Sequence, residues 1–267
     1  MPSGMDVDEA LRWLADVAQE NLGTEIALRT SDGWSRGFAR RPDGSLAGVS
    51  THSPGQWFLE AESPAATADL VAQVADDAQR ADGWPAKVTT SGAVKHWLRP
   101  LLTAHGVAPV REHDLLAMAC HKPPGNGEGR WATPTDRPTL EQYQTLYNAE
   151  RRTTIAPDWD NLLRRRSVAV LERDGRIVAV VKRTADTARY ATIGGTWTDP
   201  ACRGDGLAKR LTAFLVSELL CERPAVHLVV DDDNVAAIAL YRTLQFEPSG
   251  SCYMGYLQAY ASTGRFR

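Results

Sequence analysis

The sequence predicts a mixed α/β fold organised as two tandem domains, each with a central mixed, mostly antiparallel sheet flanked by helices. Two observations support this fold class. Apolar patterns typical of strands and of helices alternate through both halves of the chain. In addition, the 267 residues exceed the length of about 150 that suits one such domain, so each half is long enough for a core of its own.

The second half has the clearer pattern. Its periodicities predict, in order, a helix over 139–151, a hairpin of strands 168–171 and 177–181, a strand over 190–198, a helix from residue 207, a strand over 226–230, a helix over 236–244 and a closing strand pair. Asp174 and Gly175 form the hairpin turn, because Asp-Gly is favoured where two successive residues adopt positive φ.

The first half repeats this order. We predict a strand over 57–60, a helix over 65–79, a strand over 86–89, a helix over 93–104 and a final strand pair within 107–119. Superposing the halves at an offset of about 139 positions places Leu102 opposite Tyr241 and Lys95 opposite Asn234. We interpret the first half as a degenerate copy of the second; an unrelated α+β domain is the alternative.

A Pro- and Gly-rich stretch separates the halves. Residues 121–138 lack apolar periodicity and include Pro123, Pro124 and three glycines. We therefore expect a linker over 121–138 between a domain at 1–120 and a domain at 139–267.

The segment 199–208 bears most directly on function, since it joins a predicted strand to a predicted helix through a turn with two glycines. Backbone N–H groups at such a turn, together with the positive end of the helix dipole, bind an anion. Gly206 allows close approach of the main chain. The spacing is neither that of a nucleoside-triphosphate loop nor that of a dinucleotide fingerprint.

Arg203, Gly206 and Ala208, preceded by Thr-Asp-Pro and a strand, resemble the pyrophosphate signature of the GNAT acyltransferases, which bind acyl-coenzyme A. A second block resembles the next strand, helix and strand of that family: Leu228, Val230, Asn234, Ala237, Leu240, Tyr241 and Phe246. Gln245 stands where the family usually has glycine, so we expect this helix to end without a left-handed glycine cap.

The resemblance implies two GNAT-like domains and an acetyl-CoA or other acyl-CoA site in the second. Its cofactor-binding residues would be Thr196, Trp197, Thr198, Arg203, Gly204, Asp205, Gly206, Leu207, Ala208, Asn234 and Tyr241. The cofactor would lie where the strands ending at Thr198 and Val230 splay apart, and a backbone N–H of the first strand would polarise its carbonyl.

The resemblance also implies a general acid, Tyr241, whose phenol would protonate the leaving thiolate. A purely packing role is the alternative for Tyr241. Many relatives use a strand glutamate as base, but residues 190–198 contain no carboxylate. Asp231 and Glu150 are the candidate bases, and loss of the proton to water is the alternative.

Composition limits which partners, metals and cellular compartment we expect for this protein. The net charge of −3 and pI near 6.1 give no reason to expect nucleic acid. The four cysteines are widely separated, without zinc spacing, so we expect no metal and a reducing cytosol. No apolar stretch approaches a membrane span, and the first residues are acidic, which predicts a soluble cytoplasmic protein.

The sequence thus predicts an enzyme that transfers an acyl group, acetyl first among them, from coenzyme A to a primary amine of a small molecule. Two alternatives stay open. One is a GNAT-fold enzyme whose donor is an acyl carrier protein or aminoacyl-tRNA, docked on arginines such as 164–166. The other is a non-catalytic acyl-CoA sensor, which would have no use for a proton donor at Tyr241.

Overall fold

A computed structural model describes residues 4–16, 22–30, 33–80 and 83–259. Contacts between Cα atoms divide the chain into two compact units. Unit 1 comprises residues 1–117, 230–233 and 248–267, and unit 2 comprises residues 118–229 and 234–247. The predicted domain boundaries at 120 and 139 stay a prediction. Each unit has a hydrophobic core of its own, and that of unit 1 includes Tyr253 from the second half of the chain.

Unit 1 packs helices against a mixed sheet. Its helices are α1 (Gly4–Asp16), α2 (Leu22–Thr30), α3 (Pro64–Arg80) and α4 (Gly92–Ala104). Its strands are β1 (Ser35–Arg40), β2 (Leu46–Ser53), β3 (Gln56–Ala61), β4 (Lys87–Ser91), most of β5 (Val107–Cys120) and, from the end of the chain, most of β11 (Glu247–Ala259). The strand order is β1-β2-β3-β4-β11-β5, with β3 and β4 parallel.

The predicted elements at 57–60, 65–79, 86–89 and 93–104 correspond to β3, α3, β4 and α4. Apolar side chains of α3 and α4, such as Leu70 and Leu98, pack on Trp57 and Val88 of the sheet. The elements α1, α2, β1 and β2 were not predicted. Strand β2 is buried on both faces over most of its length, so it lacks the alternation on which strand prediction depends.

The ends of both halves differ from the prediction. The strand pair expected within 107–119 is the single strand β5: no Gly or Asn supplies a positive-φ turn there, and the strand continues through Pro109 and Asp114. The closing strands expected after residue 244 are likewise one strand, β11. It pairs antiparallel with β4, from Cys252 opposite Ser91 to Tyr256 opposite Lys87. The last strand therefore completes the sheet of unit 1.

Unit 2 contains α5 (Arg137–Arg151), α6 (Trp159–Arg164), α7 (Leu207–Leu220) and α8 (Val235–Thr243). Its strands are β6 (Arg130–Trp131), β7 (Val168–Arg173), β8 (Arg176–Asp186), β9 (Ala191–Thr198) and most of β10 (Val226–Asp231), in the order β10-β9-β8-β7-β6. Strands β9 and β10 are parallel and the other pairs are antiparallel.

The β7–β8 hairpin turns at Asp174 and Gly175, which both have positive φ as their identities predicted. One core cluster of unit 2 joins Leu140 of α5 and Leu163 of α6 to Val170, Val180 and Trp197 of the sheet. Helix α6 was not predicted, since six residues are too few to show a helical period.

The second part of the predicted linker is folded into unit 2. Arg130 and Trp131 form β6 and pair with Val170 and Ala169 of β7. The Glu128 carboxylate accepts hydrogen bonds from Arg173 and Arg210. A two-residue strand has no periodicity that sequence inspection could detect, and the linker bounds of 121–138 stay a prediction.

Candidate functional site

Strands β9 and β10 pair only at their amino-terminal ends. The paired residues are Ala191 with Val226 and Thr192 with His227, and β9 then continues to Thr198 without a further pair to β10. The carboxyl-terminal part of β9 is therefore not closed off by its parallel neighbour, as the resemblance implied. An extended ligand can pair with this unclosed edge as an added strand would.

The turn after β9 is built to present backbone N–H groups. The Asp199 carboxylate accepts from the N–H of Ala201 at 3.0 Å and starts a short 3-10 helix, Pro200–Cys202. Gly204 and Gly206 follow with φ of 96° and 71°, a region that favours glycine. Gly206 occupies the N-cap of α7 and makes no side-chain cap, so the first N–H groups of α7 stay available to an anion.

The turn, the end of β9 and α8 surround a cavity of about 500 Å³ in unit 2. Most predicted cofactor and catalytic residues line it: Glu150, Thr196, Trp197, Thr198, Arg203, Gly204, Gly206, Leu207, Ala208, Asn234 and Tyr241. Asp205 and Asp231 do not line it. Asp205 is exposed in the turn, where its carbonyl accepts from Arg210 Nη2 at 3.2 Å.

Arg203 turns its side chain towards α5 and the end of β9. Its Nη2 donates to Glu150 Oε2 at 2.7 Å, and its Nε donates to the carbonyl of Thr198 at 3.1 Å. The hydrogen bond from Arg203 is the main cause that lowers the pKa of Glu150. Glu150 is therefore a weaker base than an isolated glutamate.

Tyr241 lies on α8 and faces the cavity. Burial raises its pKa, which neighbouring Thr196 and the charge of Arg151 partly offset, so the phenol keeps its proton at neutral pH. Its ring meets Phe246 edge-on, with 5.7 Å between ring centroids. Asn234 caps the same helix, since its Oδ1 accepts from the N–H of Ala237 at 3.1 Å.

The end of α8 fixes the Tyr241 backbone through a left-handed residue that is not glycine. Gln245 has φ of 63°. The N–H of Phe246 reaches the Tyr241 carbonyl and the N–H of Gln245 reaches that of Arg242, both at 3.1 Å. These two bonds define a Schellman motif. As expected, no glycine ends this helix. The left-handed conformation that glycine usually provides is nevertheless present, and Gln245 adopts it.

Asp231, one of the two candidate bases, is hydrogen-bonded within unit 1. Its Oδ1 lies 2.8 Å from Nδ1 of His113, and Arg111 Nε donates to His113 Nε2 at 2.8 Å. Because the arginine N–H can only donate, Nε2 accepts and Nδ1 carries the proton given to Asp231. His113 therefore holds one oxygen of Asp231.

Sequence inspection missed two cations in the cavity wall. Lys209, in the first turn of α7, and Arg151, at the end of α5, both line it. Lys209 could have been found as the basic residue next to the Ala208 position of the signature. The thiol-bearing Cys202 also lines the cavity. Among the described residues no cluster of three or more His, Cys, Asp or Glu could hold a metal ion.

The first half has a different chemistry at the corresponding turn. Helix α3 is capped, because Ser63 Oγ accepts from the N–H of Ala66 at 3.2 Å. Glu62 stands beside this helix end and pairs with Arg41, whose Nε donates at 2.6 Å. The carboxylate of buried Glu60 accepts from the N–H of Ser91 at 2.9 Å. Carboxylates thus occupy this region of unit 1, which disfavours a phosphate.

Comparison with known proteins agrees with this geometry. Residues 129–246 match the family model described as "Acetyltransferase (GNAT) family". No curated protein sequence matches the chain. Residues 129–246 of this chain therefore carry a GNAT acetyltransferase domain, the kind of domain found in N-acyltransferase enzymes.

Solved structures share the fold over nearly the whole chain. A GCN5-related N-acetyltransferase from Sphaerobacter thermophilus is 21% identical with a TM-score of 0.66, covering 99% of this chain and 96% of its own. A GNAT-family acetyltransferase from Colwellia psychrerythraea is 15% identical with a TM-score of 0.63, covering 97% and 98%. A tandem GNAT protein from the clavulanic acid biosynthesis pathway is 15% identical with a TM-score of 0.57, covering 97% and 96%. These likenesses agree with a tandem GNAT fold.

Proposed function

We propose that this protein transfers an acyl group, with acetyl as the first donor to test, from a coenzyme A thioester to a primary amine of a small molecule by direct attack. One observation carries this proposal. The uncapped N-terminus of α7 and the phenol of Tyr241 line the same cavity. The first suits a pyrophosphate, and the second suits a leaving thiolate.

The residues of the cavity fit acyl-CoA in charge and in shape. Free N–H groups of α7, with the cations Lys209 and Arg151 nearby, suit the phosphates. Residues 196–198 offer main-chain groups to an amide-containing arm. When bound, the cofactor supplies an activated thioester carbonyl. Tyr241, protonated because burial raises its pKa, then donates its proton as charge forms on sulfur.

The acceptor amine needs a route for its proton. Glu150 lines the cavity, but its pairing with Arg203 lowers its pKa and weakens it as a base. Asp231 is the second candidate, with one oxygen held by His113. We propose that the amine attacks in its neutral form, so that the proton can pass to water or to Glu150, the one of the two carboxylates that lines the cavity.

The alternative donors receive less support. The arginines expected to dock a carrier protein or tRNA have local partners: Arg164 binds Asn161, Arg165 pairs with Asp186, and Arg166 lies over the ring of Trp131. Such contacts leave less free charge for docking. Within the described residues no helix is both long and apolar enough to span a bilayer. A cytoplasmic location stays a prediction.

The test is calorimetry with acetyl-CoA, followed by release of free coenzyme A in the presence of a panel of primary amines. We expect binding in the micromolar range, and amine-dependent thiol release above the rate with acetyl-CoA alone. Binding without turnover for any amine would favour the sensor. No binding of acetyl-CoA would contradict the proposal as a whole.

A further inference from the structure

Lys182 is a buried cation of unit 2 that the proposed mechanism does not use. It lies on β8 with only 7% of its surface exposed, and its Nζ donates to Gln144 Oε1 at 3.0 Å. Among the described residues it forms no ion pair with a carboxylate. A buried ammonium without a counter-ion is costly, so other groups must stabilise it.

Aromatic rings supply that stabilisation. The Lys182 Nζ lies 5.4 Å from the ring centroid of Tyr143, 5.7 Å from that of Tyr147 and 5.8 Å from that of Trp159. Tyr143 and Tyr147 of α5 are the titratable groups that face it, while α6 contributes Trp159. Burial lowers the pKa of Lys182 to about 8, so it is cationic at pH 7 and loses that charge above pH 8.

Lys182 packs against the irregular part of β9. Val180 pairs with Trp197, but Lys182 pairs with Gly194, so Gly195 and Thr196 together lie opposite one residue of β8. This is a β-bulge. Gly195 has φ of 62°, and a Cβ there would lie 2.5 Å from Lys182 Cε. The lysine stem therefore fills the space beside the bulge.

Tyr143 links the cation to the bulge. Its hydroxyl donates to the carbonyl of Gly195 at 2.8 Å. That carbonyl belongs to the same peptide group as the N–H of Thr196, and in a planar trans peptide the two point in opposite directions. A hydrogen bond accepted by the carbonyl polarises the peptide and strengthens its N–H as a donor. Thr196 lines the cavity.

We propose that Lys182 is a positioning residue for acyl transfer: its ammonium strengthens the Tyr143 hydroxyl as a donor to Gly195, which holds and polarises the Thr196 N–H that faces the acyl carbonyl. This inference rests on the proposed function. Under this proposal Lys182, which is buried and distant in sequence from the cofactor turn, controls how strongly the thioester carbonyl is activated. Lys182 contacts no substrate itself.

The experiment compares Lys182→Met, Tyr143→Phe and the double variant with the wild type, with Lys122→Met as a control at an exposed lysine of the same unit. We expect Lys182→Met to lower kcat about tenfold, less than the loss of a direct oxyanion donor, while Kd for acetyl-CoA stays within about twofold. Tyr143→Phe should lower kcat by a similar factor. The double variant should lose little more, because both residues act along one path.

A spectroscopic readout separates this role from a general effect on folding. The infrared carbonyl band of bound, carbonyl-¹³C-labelled acetyl-CoA should lie below its value in solution for the wild type and move back towards that value in both single variants. In the wild type it should also move back between about pH 7 and 9, as Lys182 loses its proton, and in Lys182→Met it should not. Melting curves show whether each variant is folded.

Three outcomes would count against this inference, and they can be distinguished. In the first, the wild type binds acetyl-CoA and turns over, but Lys182→Met has the same kcat and the same carbonyl band. That result would overturn the role of Lys182 and leave the proposed function intact. If Lys182→Met fails to fold, an unchanged kcat and band in Tyr143→Phe overturns it instead. Failure of the wild type to bind acetyl-CoA would overturn the proposed function, and this inference with it.

Discussion

The guanidinium of Arg203 donates to the carboxylate of Glu150 at 2.7 Å, although the two residues are 53 positions apart. A second bond from Arg203 reaches the carbonyl of Thr198. One side chain thus ties the phosphate turn to the end of β9 and to the last turn of α5. Both partners are nearly half exposed, so the pair adds little to global stability, and its effect is on the local geometry of the turn.

The first prediction concerns Glu150→Gln. We expect Kd for acetyl-CoA to rise about two- to fivefold, because a surface ion pair that orients the turn is weakened. The value of kcat should fall less than about tenfold, since Arg203 already lowers the pKa of Glu150. Glu141→Gln removes an exposed pair on the same helix and should change neither constant. If turnover instead fell by about 10²-fold or more, a loss typical of removing a general base, Glu150 would be the base.

The second prediction tests the phosphate cradle through Ala208→Glu. A carboxylate at the second position of α7 would repel the pyrophosphate, so binding of acetyl-CoA should fall by about 10²-fold or more in calorimetry. Ala208 is preferable to Gly206, whose φ of 71° would strain any other residue and confuse the result. Ala65→Glu, at the second position of α3, is the matched control and should bind normally. If Ala208→Glu bound acetyl-CoA with unchanged affinity, the pyrophosphate would not bind at this turn.

The third prediction is that one chain binds one acetyl-CoA. The first half has the Glu62–Arg41 pair and a capped helix α3 where phosphate would have to bind. A calorimetric titration should therefore saturate at about one equivalent, and Ala208→Glu should lose that equivalent. Saturation at two equivalents would show that the first half is a working cofactor site.

The fourth prediction concerns the acid. Tyr241→Phe keeps the ring that packs on Phe246 and removes only the hydroxyl, so stability and KM should change little. Turnover should fall by roughly 10²-fold, the usual contribution of a positioned general acid, and the loss should concentrate in kcat. Tyr256→Phe in unit 1 should have wild-type turnover. If Tyr241→Phe also turned over normally, Tyr241 would be a packing residue and the thiolate would leave unprotonated.

The fifth prediction follows from the helix end behind Tyr241. Gln245 adopts φ of 63°, which costs about 1 kcal/mol for a residue with a Cβ and little for glycine. Gln245→Gly should therefore stabilise the protein by about 0.5–1 kcal/mol, or about 1–3 °C in Tm. Gln142→Gly, inside α5, is the same substitution and should destabilise by a similar amount. If both variants changed the free energy of unfolding in the same direction, the Schellman assignment would be contradicted.

Much of the candidate site could be predicted because its signals are local. A strand, two glycines and a helical period within 190–220 were enough to predict β9, the turn and α7, and the place of Asn234 before an apolar run predicted its role as a cap. The first half was harder. Strand β2 is buried on both faces, and its sequence therefore lacks the period of two that identifies a strand.

The sequence by itself determined the elements whose side chains follow one period or whose caps lie within a few residues, since those preferences act between neighbours. Only the tertiary structure decided that β11 pairs with β4, that Arg203 meets Glu150, and that Lys182 enters a ring of aromatics. These contacts join residues far apart in the chain. They depend on which arrangement of the whole chain buries the most apolar surface and leaves the fewest polar groups unpaired. A pattern within a few neighbouring residues cannot distinguish between such arrangements.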